Sequence, residues 1–525
     1  MQKVIQRKLD YFFWFLLILI SGSINSYYGF RGINPIDNFT IYSSGYYILN
    51  GYVPFKDFWV VTGPFLDLTQ YLFFKILGVN WKAYVFHSSL LNIIFTLITF
   101  LTLSSFSIKK IYAFFYATLI SIISYPQVGT PFVDHHASIL SLIGLNFFIL
   151  AIKTGENKYW FLIPISFFLS FMSKQTPTAY FILYLFPLII FFFILNFNKK
   201  NFVFLIFGSL TSILLLILFL YSYGISYQNF IIQYFSFPSS VGSERLNAEF
   251  LFPIEFSRYV MRFKLIHLSY VVLLVILVKN TYENLKFLKT NDFLIIISLI
   301  LSSYAMIIHQ LLTLNVKFVY FIIPLLAGFS HVYSIQYLQK KNFFIPIMIL
   351  TLIFSSYYYF KYVNDRKFVV SDNYYEKEKI LKTKIIDNKY YFNWITNLNQ
   401  DPKNEIRDVK KVINFFQNLD QDNYIIITDY QFIFSKIKSQ NNIFINKWYH
   451  PGVSYPQENN EFFEIYKNFF VKKIKDNKVI SIYFVKPSWF GNSNELFFKR
   501  LFSDCINEKN YLDGIIIGFN IKNCF

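Results

Sequence analysis

The sequence predicts an α-helical polytopic membrane protein, with about eleven transmembrane helices in residues 1–360 and a small extracytoplasmic α/β domain in residues 361–525. Composition is the first reason, because 55% of the 525 residues are hydrophobic and only 15% are charged, whereas soluble domains carry about 25% charged residues. The second reason is a positive mean hydropathy of +0.40. The third is that long apolar windows recur along the chain and stop near residue 360. These observations exclude an ordinary soluble enzyme and a disordered chain.

The predicted spans are windows of about 15 to 23 residues with almost no charge. Lipid offers the backbone no hydrogen-bond partner, so each window should be helical. Several are shorter than the roughly 20 residues that cross a hydrocarbon core, and their flanks must then contribute. The windows are residues 11–25, 83–105, 111–125, 137–152, 159–173, 177–196, 202–223, 265–278, 293–313, 318–337 and 342–360.

Basic residues set the predicted orientation. If the N-terminus is cytoplasmic, every inner segment carries Lys or Arg, while the short outer connections 126–136, 174–176 and 314–317 hold only Lys174 and Lys317. This asymmetry follows the positive-inside rule. We therefore expect the first span to be a retained signal anchor and the C-terminal domain to lie outside the cytoplasm.

The C-terminal domain alternates strand-like runs with polar helical stretches, which is typical of a small α/β fold. The predicted strands are 424–428, 479–485 and 514–521, and the predicted helices are 403–418 and 459–474.

Both cysteines of the chain, Cys505 and Cys524, lie in this domain. In an oxidising compartment a disulfide between them would stabilise the domain by roughly 3 kcal/mol. The alternative is a pair of free thiols.

Two outer loops hold the candidate chemistry. The first, residues 26–82, predicts two amphipathic helices on the membrane surface, at about 39–49 and 64–77, joined by a turn rich in Gly and Pro. The second is short and places charged or titratable side chains directly before a span. The charged or titratable residues of interest are Asp37, Lys56, Asp57 and Asp67 in the first loop, and Asp134, His135 and His136 in the second.

The first loop contains the segment G-x-V-P-F-x-D-F-x-x-x-x-G-P at residues 51–64, followed by the helix-like run LTQYLFFKILG at 68–78. With an aspartate just after the first span, this pattern resembles the GT-C glycosyltransferases, in particular the bacterial relatives of protein O-mannosyltransferases and aminoarabinose transferases. The resemblance covers about residues 1–200 and extends further only through topology. It implies a GT-C-like catalytic module in residues 1–360, in the bacterial plasma membrane.

The resemblance also implies the activity: an inverting glycosyltransferase that moves a hexose or pentose from a polyprenyl-phosphate donor to a glycan, lipid or protein acceptor of the cell envelope. No nucleic-acid partner is expected. The first-loop acidic residue of the family falls on Asp37 and the second-loop acidic residue on Asp134. Asn38 follows Asp37, so the acidic pair seen in many relatives is incomplete here.

The expected chemistry needs a base and a phosphate site. Asp37 is the candidate base for the acceptor hydroxyl, because partial desolvation strengthens a carboxylate as a base. The leaving phosphate gains charge and needs cations or a metal nearby. The candidates are Lys174, Lys317, Lys56 and His309 for the phosphate, Asp134 with His135 for a divalent Mg or Mn ion, and Asp57, Arg31 and His136 in supporting roles.

Each candidate also has a structural interpretation. Asp37 and Asp134 precede predicted helices, so either can be an N-cap, and Asp57 can hold a turn through backbone amides. Lys174 and Lys317 can extend to the interface simply to keep their charge in water. His309 can make an ordinary interhelical hydrogen bond. Adjacent histidines do not share a helix face, which disfavours His135 and His136 as joint ligands.

Two other functions remain open at this stage. A polysaccharide polymerase or O-antigen ligase would use arginines of a large outer loop, here Arg245, Arg258 and Arg262 in residues 224–263. A transporter or flippase of lipid-linked sugars would need polar groups near the bilayer midplane, where His87 and His267 are the main candidates.

Overall fold

The structure is a computed structural model of the 525-residue chain. It describes residues 2–106, 108–247, 255–313, 318–338, 343–369, 381–382, 392–394, 396, 398, 401–421, 423–437, 441–502 and 505–524.

Helices dominate the first 360 residues. Each of the eleven apolar windows contains a helix, and two further helices, α2 and α3, confirm the helical segments expected in the first outer loop. The helices are α1 (Gln2–Gly29), α2 (Pro35–Leu49), α3 (Phe65–Leu77), α4 (Trp81–Ser104), α5 (Lys110–Ile123), α6 (Val133–Thr154), α7 (Asn157–Phe171), α8 (Thr178–Leu195), α9 (Lys199–Ser222), α10 (Tyr227–Ile231), α11 (Phe237–Asn247), α12 (Lys264–Glu283), α13 (Asn291–Thr313), α14 (Ile323–Leu338) and α15 (Phe344–Tyr358).

Among the described residues, nine helical segments are long and apolar enough to cross a membrane. The windows at 111–125 and 159–173 form the shorter helices α5 and α7, with 14 and 15 residues. The outer surfaces of the long helices are strongly apolar, and on α9 the side chains of Phe207, Leu210 and Ile213 are each more than half exposed. Contiguous apolar surface of this kind is unfavourable in water. The chain is therefore an integral membrane protein, and its sidedness stays a prediction.

The chain divides into two compact units. The first, which we call the membrane unit, comprises residues 1–29, 88–218 and 248–368. The second, which we call the composite unit, comprises residues 30–87, 219–247 and 369–525. The sequence predicts that the first outer loop belongs with the spans of residues 1–360, whereas residues 30–87 share a compact unit with residues 369–525.

Polar side chains connect the helices of the membrane unit. Asn25 of α1 donates from Nδ2 to the hydroxyls of Ser88 and Ser89 on α4, at 3.0 Å each. Asn92 of α4 donates to the carbonyls of Ser21 and Ser121, at 3.1 and 3.0 Å. In a membrane such interhelical hydrogen bonds satisfy polar groups that lipid cannot. They set the mutual register of α1, α4 and α5.

The composite unit is built on a sheet near the C-terminus. The strands are β1 (Leu381–Lys382), β2 (Asn393–Trp394), β3 (Tyr424–Ile427), β4 (Ser481–Val485), β5 (Asn507–Tyr511) and β6 (Ile516–Asn520), and the helices are α16 (Pro402–Gln417), α17 (Phe463–Asp476) and α18 (Ser493–Leu501). Four strands form one sheet in the order β3-β4-β6-β5. The pair β3 and β4 is parallel, with Tyr424 opposite Ser481, and the other pairs are antiparallel. The three strands and two helices expected from the sequence are confirmed.

The first outer loop contributes to the core of this unit. Trp59 is 2% exposed and lies in one apolar cluster with Ile445, Tyr466 and Phe470. Its backbone N–H donates to the Ile445 carbonyl at 2.7 Å, and its carbonyl accepts from the Lys447 N–H at 3.0 Å. Burial of this indole stabilises the association of the loop with the C-terminal segment. The apolar run FWVV at 58–61 is thus a core segment of the composite unit.

The expected disulfide is confirmed: Cys505 and Cys524 are bonded across a sequence separation of 19 residues. The bond joins the segment before β5 to the turn after β6, so it closes the end of the sheet.

Replacing both cysteines with serine should lower the free energy of unfolding of the composite unit by about 3 kcal/mol, because the closed loop no longer restricts the unfolded chain. The measurement is the midpoint of denaturant unfolding, followed by tryptophan fluorescence of the detergent-solubilised protein. Mass spectrometry after alkylation without reductant is the companion test. Complete alkylation of both thiols in the native protein would contradict the assignment.

Candidate functional site

Asp134 stands at the centre of a charged cluster inside the membrane unit. It lies in the first turn of α6, whose N-cap is Phe132. Asp134 is therefore not the helix cap, although a carboxylate at this position is favoured by the helix dipole. Its side chain is 3% exposed. A buried carboxylate requires compensating partners, since an isolated charge in an apolar environment is strongly unfavourable.

Two cationic or titratable side chains provide that compensation. Lys174, in the turn between α7 and α8, donates from Nζ to Asp134 Oδ1 at 2.6 Å. His309, near the end of α13, places Nε2 at 3.0 Å from the same oxygen. The His309 side chain is fully buried, whereas Lys174 is 22% exposed. The Lys174 side chain is thus the most exposed of the three in this cluster.

The neighbouring histidines both contact Tyr125. His135 lies among aromatic rings, with its ring centroid 4.8 Å from Phe318 and 5.5 Å from Tyr125. His136 is hydrogen-bonded through Nδ1 to the Tyr125 hydroxyl. The two rings thus contact one tyrosine in different ways, by ring packing and by a hydrogen bond.

A metal site at Asp134 and His135 stays a prediction. Within the described ranges no group of three or more His, Cys, Asp or Glu side chains is arranged to hold an ion. Oδ1 of Asp134 contacts the Lys174 ammonium and His309 Nε2.

Arg366 is a functional candidate that sequence reasoning missed. Its buried guanidinium donates to the carbonyls of Pro126 and Gln127 at 2.9 Å and of Val128 at 3.1 Å. These bonds satisfy the backbone of the loop that leads into α6, and so they position Asp134. The sequence signal was an arginine six residues after the last apolar window, a position that is also typical of an interfacial anchor.

Asp37 lies in the composite unit, at the third position of α2. The N-cap of α2 is Asn34, and Asn34 donates from Nδ2 to Asp37 Oδ2 at 3.0 Å. Asp37 is partly exposed. The Asn34 amide thus contacts the carboxylate at the start of a helix in a partly exposed residue, an arrangement compatible with proton uptake from a bound hydroxyl.

Asp57 has a structural role, which is to hold a turn, as its structural interpretation predicts. Its Oδ2 accepts from the Val53 backbone N–H at 2.9 Å and closes the turn, while Oδ1 accepts from Lys473 Nζ at 3.0 Å.

The other predicted cations have no common location. Lys56, next to Asp57 in the sequence, is exposed. Arg31 is partly buried. Its neighbours in the chain pair with Asn393: the Asn393 N–H donates to the Phe30 carbonyl at 2.8 Å, and the Gly32 N–H donates to the Asn393 carbonyl at 2.9 Å. Lys317 lies outside the described residues.

A second buried ion pair joins distant segments of the composite unit. Lys447 Nζ lies 2.7 Å from Asp67 Oδ1 and 2.9 Å from the Thr62 hydroxyl. The Ser44 hydroxyl donates to Asp67 Oδ1 at 2.5 Å. The two charged side chains are 1% and 0% exposed. Burial lowers the pKa of Lys447, an effect that the Asp67 carboxylate opposes. In the sequence, Lys447 is a lysine flanked mostly by apolar residues, and this pattern alone does not indicate a buried ion pair.

Comparisons with known proteins add little to this geometry. The chain matches no protein-family model and no curated protein by sequence. Among solved structures it is similar to the Archaeoglobus fulgidus oligosaccharyltransferase tethered through a disulfide bond to an acceptor peptide containing the NVT sequon. The TM-score is 0.45 at 10% identity, over 90% of this chain and 69% of that one. A likeness of this size supports no statement about this chain's family or activity.

Replacing Lys447 with Met should destabilise the composite unit by about 3–5 kcal/mol, because the Asp67 carboxylate would remain buried without its counter-ion. The double variant Lys447→Met/Asp67→Asn should recover much of that loss. Thermal unfolding of the detergent-solubilised protein gives the measurement.

Lys473→Met is the matched control for this prediction. Its pair with Asp57 is partly exposed, at 18% and 28%, so its loss should cost only about 0–1 kcal/mol. Equal destabilisation by the two single variants would show that the Lys447 pair has no special structural role.

Proposed function

We propose that this protein is a membrane glycosyltransferase of the GT-C type, which moves a sugar from a polyprenyl-phosphate donor to a cell-envelope acceptor with inversion at the anomeric carbon. The observation that carries the proposal is the Asp134, Lys174 and His309 cluster among apolar helices. Ionisable groups are expensive in such surroundings and mark functional sites. The first-loop motifs at residues 51–78 support the same assignment.

Lys174 is the proposed phosphate ligand. A phosphate that leaves the anomeric carbon gains negative charge, and a fixed ammonium stabilises that charge where water is scarce. Oδ1 of Asp134 lies 2.6 Å from the Lys174 ammonium and 3.0 Å from His309 Nε2. Asp134 is then a positioning residue, and the fully buried His309 ring beside it is a second one.

Asp37 is the proposed general base. As the acceptor oxygen attacks the anomeric carbon, the hydroxyl proton passes to the Asp37 carboxylate, and the bond between that carbon and the donor phosphate oxygen breaks. The released polyprenyl phosphate carries the electron pair of this bond. Attack on the face opposite the leaving group inverts the anomeric centre. General base catalysis contributes about 10²- to 10⁴-fold to such a step.

The transporter alternative gains no support from its two candidate histidines. His87 Nδ1 lies 3.0 Å from Gln70 Oε1. His267 lies within hydrogen-bond distance of the Tyr270 hydroxyl, at 2.6 Å, and of the Tyr259 carbonyl, at 2.9 Å. Both rings thus have ordinary structural partners within the protein.

Asp37→Asn should reduce sugar transfer by about 10²- to 10⁴-fold, because the neutral amide accepts no proton. Binding of undecaprenyl phosphate should remain within about twofold of wild type. Lys174→Met should weaken that binding at least about tenfold, as expected for the loss of a charge-assisted contact. Transfer is measured by mass spectrometry of envelope glycans from complemented cells, and binding by titration of the purified protein.

Glu508→Gln is the matched control, since it removes a carboxylate from the exposed strand β5 that pairs with Lys499 at 2.8 Å. It should leave transfer and binding unchanged. Near-normal transfer by Asp37→Asn would eliminate the proposed base. A loss with Arg245→Ala that exceeds the loss with Asp37→Asn would favour the polymerase or ligase alternative.

A further inference from the structure

A stack of tyrosine rings lies at one end of the membrane unit. The centroid distances are 5.5 Å between Tyr320 and Tyr358 and 4.9 Å between Tyr358 and Tyr362. The Tyr358 hydroxyl donates to Gln127 Oε1. The stack therefore adjoins the loop before α6, at the end of the unit where that helix begins.

Two cations flank this stack. Arg262, just before α12, offers its backbone carbonyl to the Tyr320 hydroxyl at 2.6 Å. Lys361, shortly after α15, donates from Nζ to the Tyr357 hydroxyl at 2.8 Å and lies 5.8 Å from the centre of the Tyr362 ring. The Tyr362 hydroxyl interacts electrostatically with both cations. Two separate segments of the chain thus bring positive charge to one tyrosine.

Neither cation forms an ion pair with a carboxylate in the part of the chain that the structure describes. The acidic side chains nearest to them in the described sequence have other partners. Glu255 accepts from the Ser257 hydroxyl, and Asp365 accepts from the Asn364 amide, each at 3.3 Å. Two like charges near one hydroxyl repel each other unless an anion compensates them. The cluster therefore favours an anion from outside the chain.

The surroundings of the cluster are apolar and exposed. Phe360 is 61% exposed, Met261 51% and Tyr357 50%. Lys361 itself belongs to the segment Phe344–Asn364, which is long and apolar enough to cross a membrane. Tyrosine, lysine and arginine near the end of a span are typical of the headgroup region of a bilayer. An anion that reaches the cluster from the bilayer therefore brings acyl chains to these apolar side chains.

We propose that Arg262 and Lys361 bind the phosphate of an anionic phospholipid. The two cations and the Tyr362 hydroxyl donate hydrogen bonds to the phosphate oxygens, and the acyl chains pack on Phe360 and Met261. Charge-assisted bonds of this kind are about twice as strong as neutral ones. A zwitterionic lipid fits less well, because its own ammonium group is repelled by the two cations. The inference goes beyond the proposed function, because lipid binding here requires neither sugar transfer nor the polyprenyl donor.

The test titrates the full chain, solubilised in a neutral detergent, with dioctanoyl phosphatidylglycerol, dioctanoyl phosphatidylcholine, undecaprenyl phosphate and inorganic phosphate. We expect phosphatidylglycerol to bind at least about tenfold more tightly than phosphatidylcholine. Arg262→Gln and Lys361→Gln should each weaken phosphatidylglycerol binding about fivefold, as expected for the loss of one cation at a membrane surface. Tyr362→Phe should weaken it about threefold, through the loss of one hydrogen bond.

Two control variants test whether the position of the charge matters. Lys279→Gln removes an exposed lysine near the other end of α12, where Lys279 pairs with Glu283 at 3.8 Å, and it should leave phosphatidylglycerol binding unchanged. Lys361→Arg keeps the charge and should bind phosphatidylglycerol within about twofold of wild type. An unchanged melting temperature shows that each variant is folded.

Two further variants separate this site from the proposed catalytic groups. Lys174→Met should weaken binding of undecaprenyl phosphate and leave phosphatidylglycerol binding unchanged, whereas Arg262→Gln should do the reverse. Asp37→Asn should bind phosphatidylglycerol like wild type. Failure of the proposed function and failure of the lipid site are therefore distinguishable.

Equal affinity for phosphatidylglycerol and phosphatidylcholine would overturn the proposal, as would wild-type binding of phosphatidylglycerol by both Arg262→Gln and Lys361→Gln. Inorganic phosphate that binds as tightly as phosphatidylglycerol would contradict it, because the acyl chains would then have no part in binding. An equal loss of undecaprenyl phosphate binding in Arg262→Gln would also refute it, since the two cations would then belong to the carrier lipid.

Discussion

The buried carboxylate of Asp134 depends on partners from two other parts of the membrane unit. It is buried at the start of an apolar helix, where an ionised group without compensation would be untenable. Lys174 and His309 approach the same oxygen from two other parts of the unit, and Arg366 fixes the loop that carries Asp134 into place. The buried charge of Asp134 thereby holds α6, α13 and the turn after α7 in contact.

The composite unit follows a similar principle with different segments. Lys447 and Asp67 are nearly 400 residues apart in sequence and form a buried pair, and Ser44 and Thr62 complete their hydrogen bonds. Such a pair adds little net stability compared with apolar packing, but removing one partner is costly. The Lys447–Asp67 pair therefore specifies which segment the first loop contacts. The burial of Trp59 stabilises this contact between the loop and the C-terminal segment.

The site was predictable as single residues and not as a cluster. Asp134 followed from its motif and position, and Lys174 and His309 followed from their places near predicted span ends. Their meeting at one oxygen depends on interhelical packing, which local periodicity does not encode. Asp57 illustrates the converse, since its carboxylate closes the turn at Val53 and pairs with Lys473, a partner more than 400 residues away.

Hydrophobic patterning by itself determined the span helices, the helices α2, α3, α16 and α17, the strands β3, β4 and β6 and the membrane character of the chain, because these depend on how neighbouring residues partition between water, lipid and core. Cysteine content likewise indicated the disulfide. Only the tertiary structure decided that residues 30–87 and 219–247 join the C-terminal segment, and that Arg366 supports the loop before α6. These features arise from contacts between residues far apart in the chain, whose geometry no local pattern records.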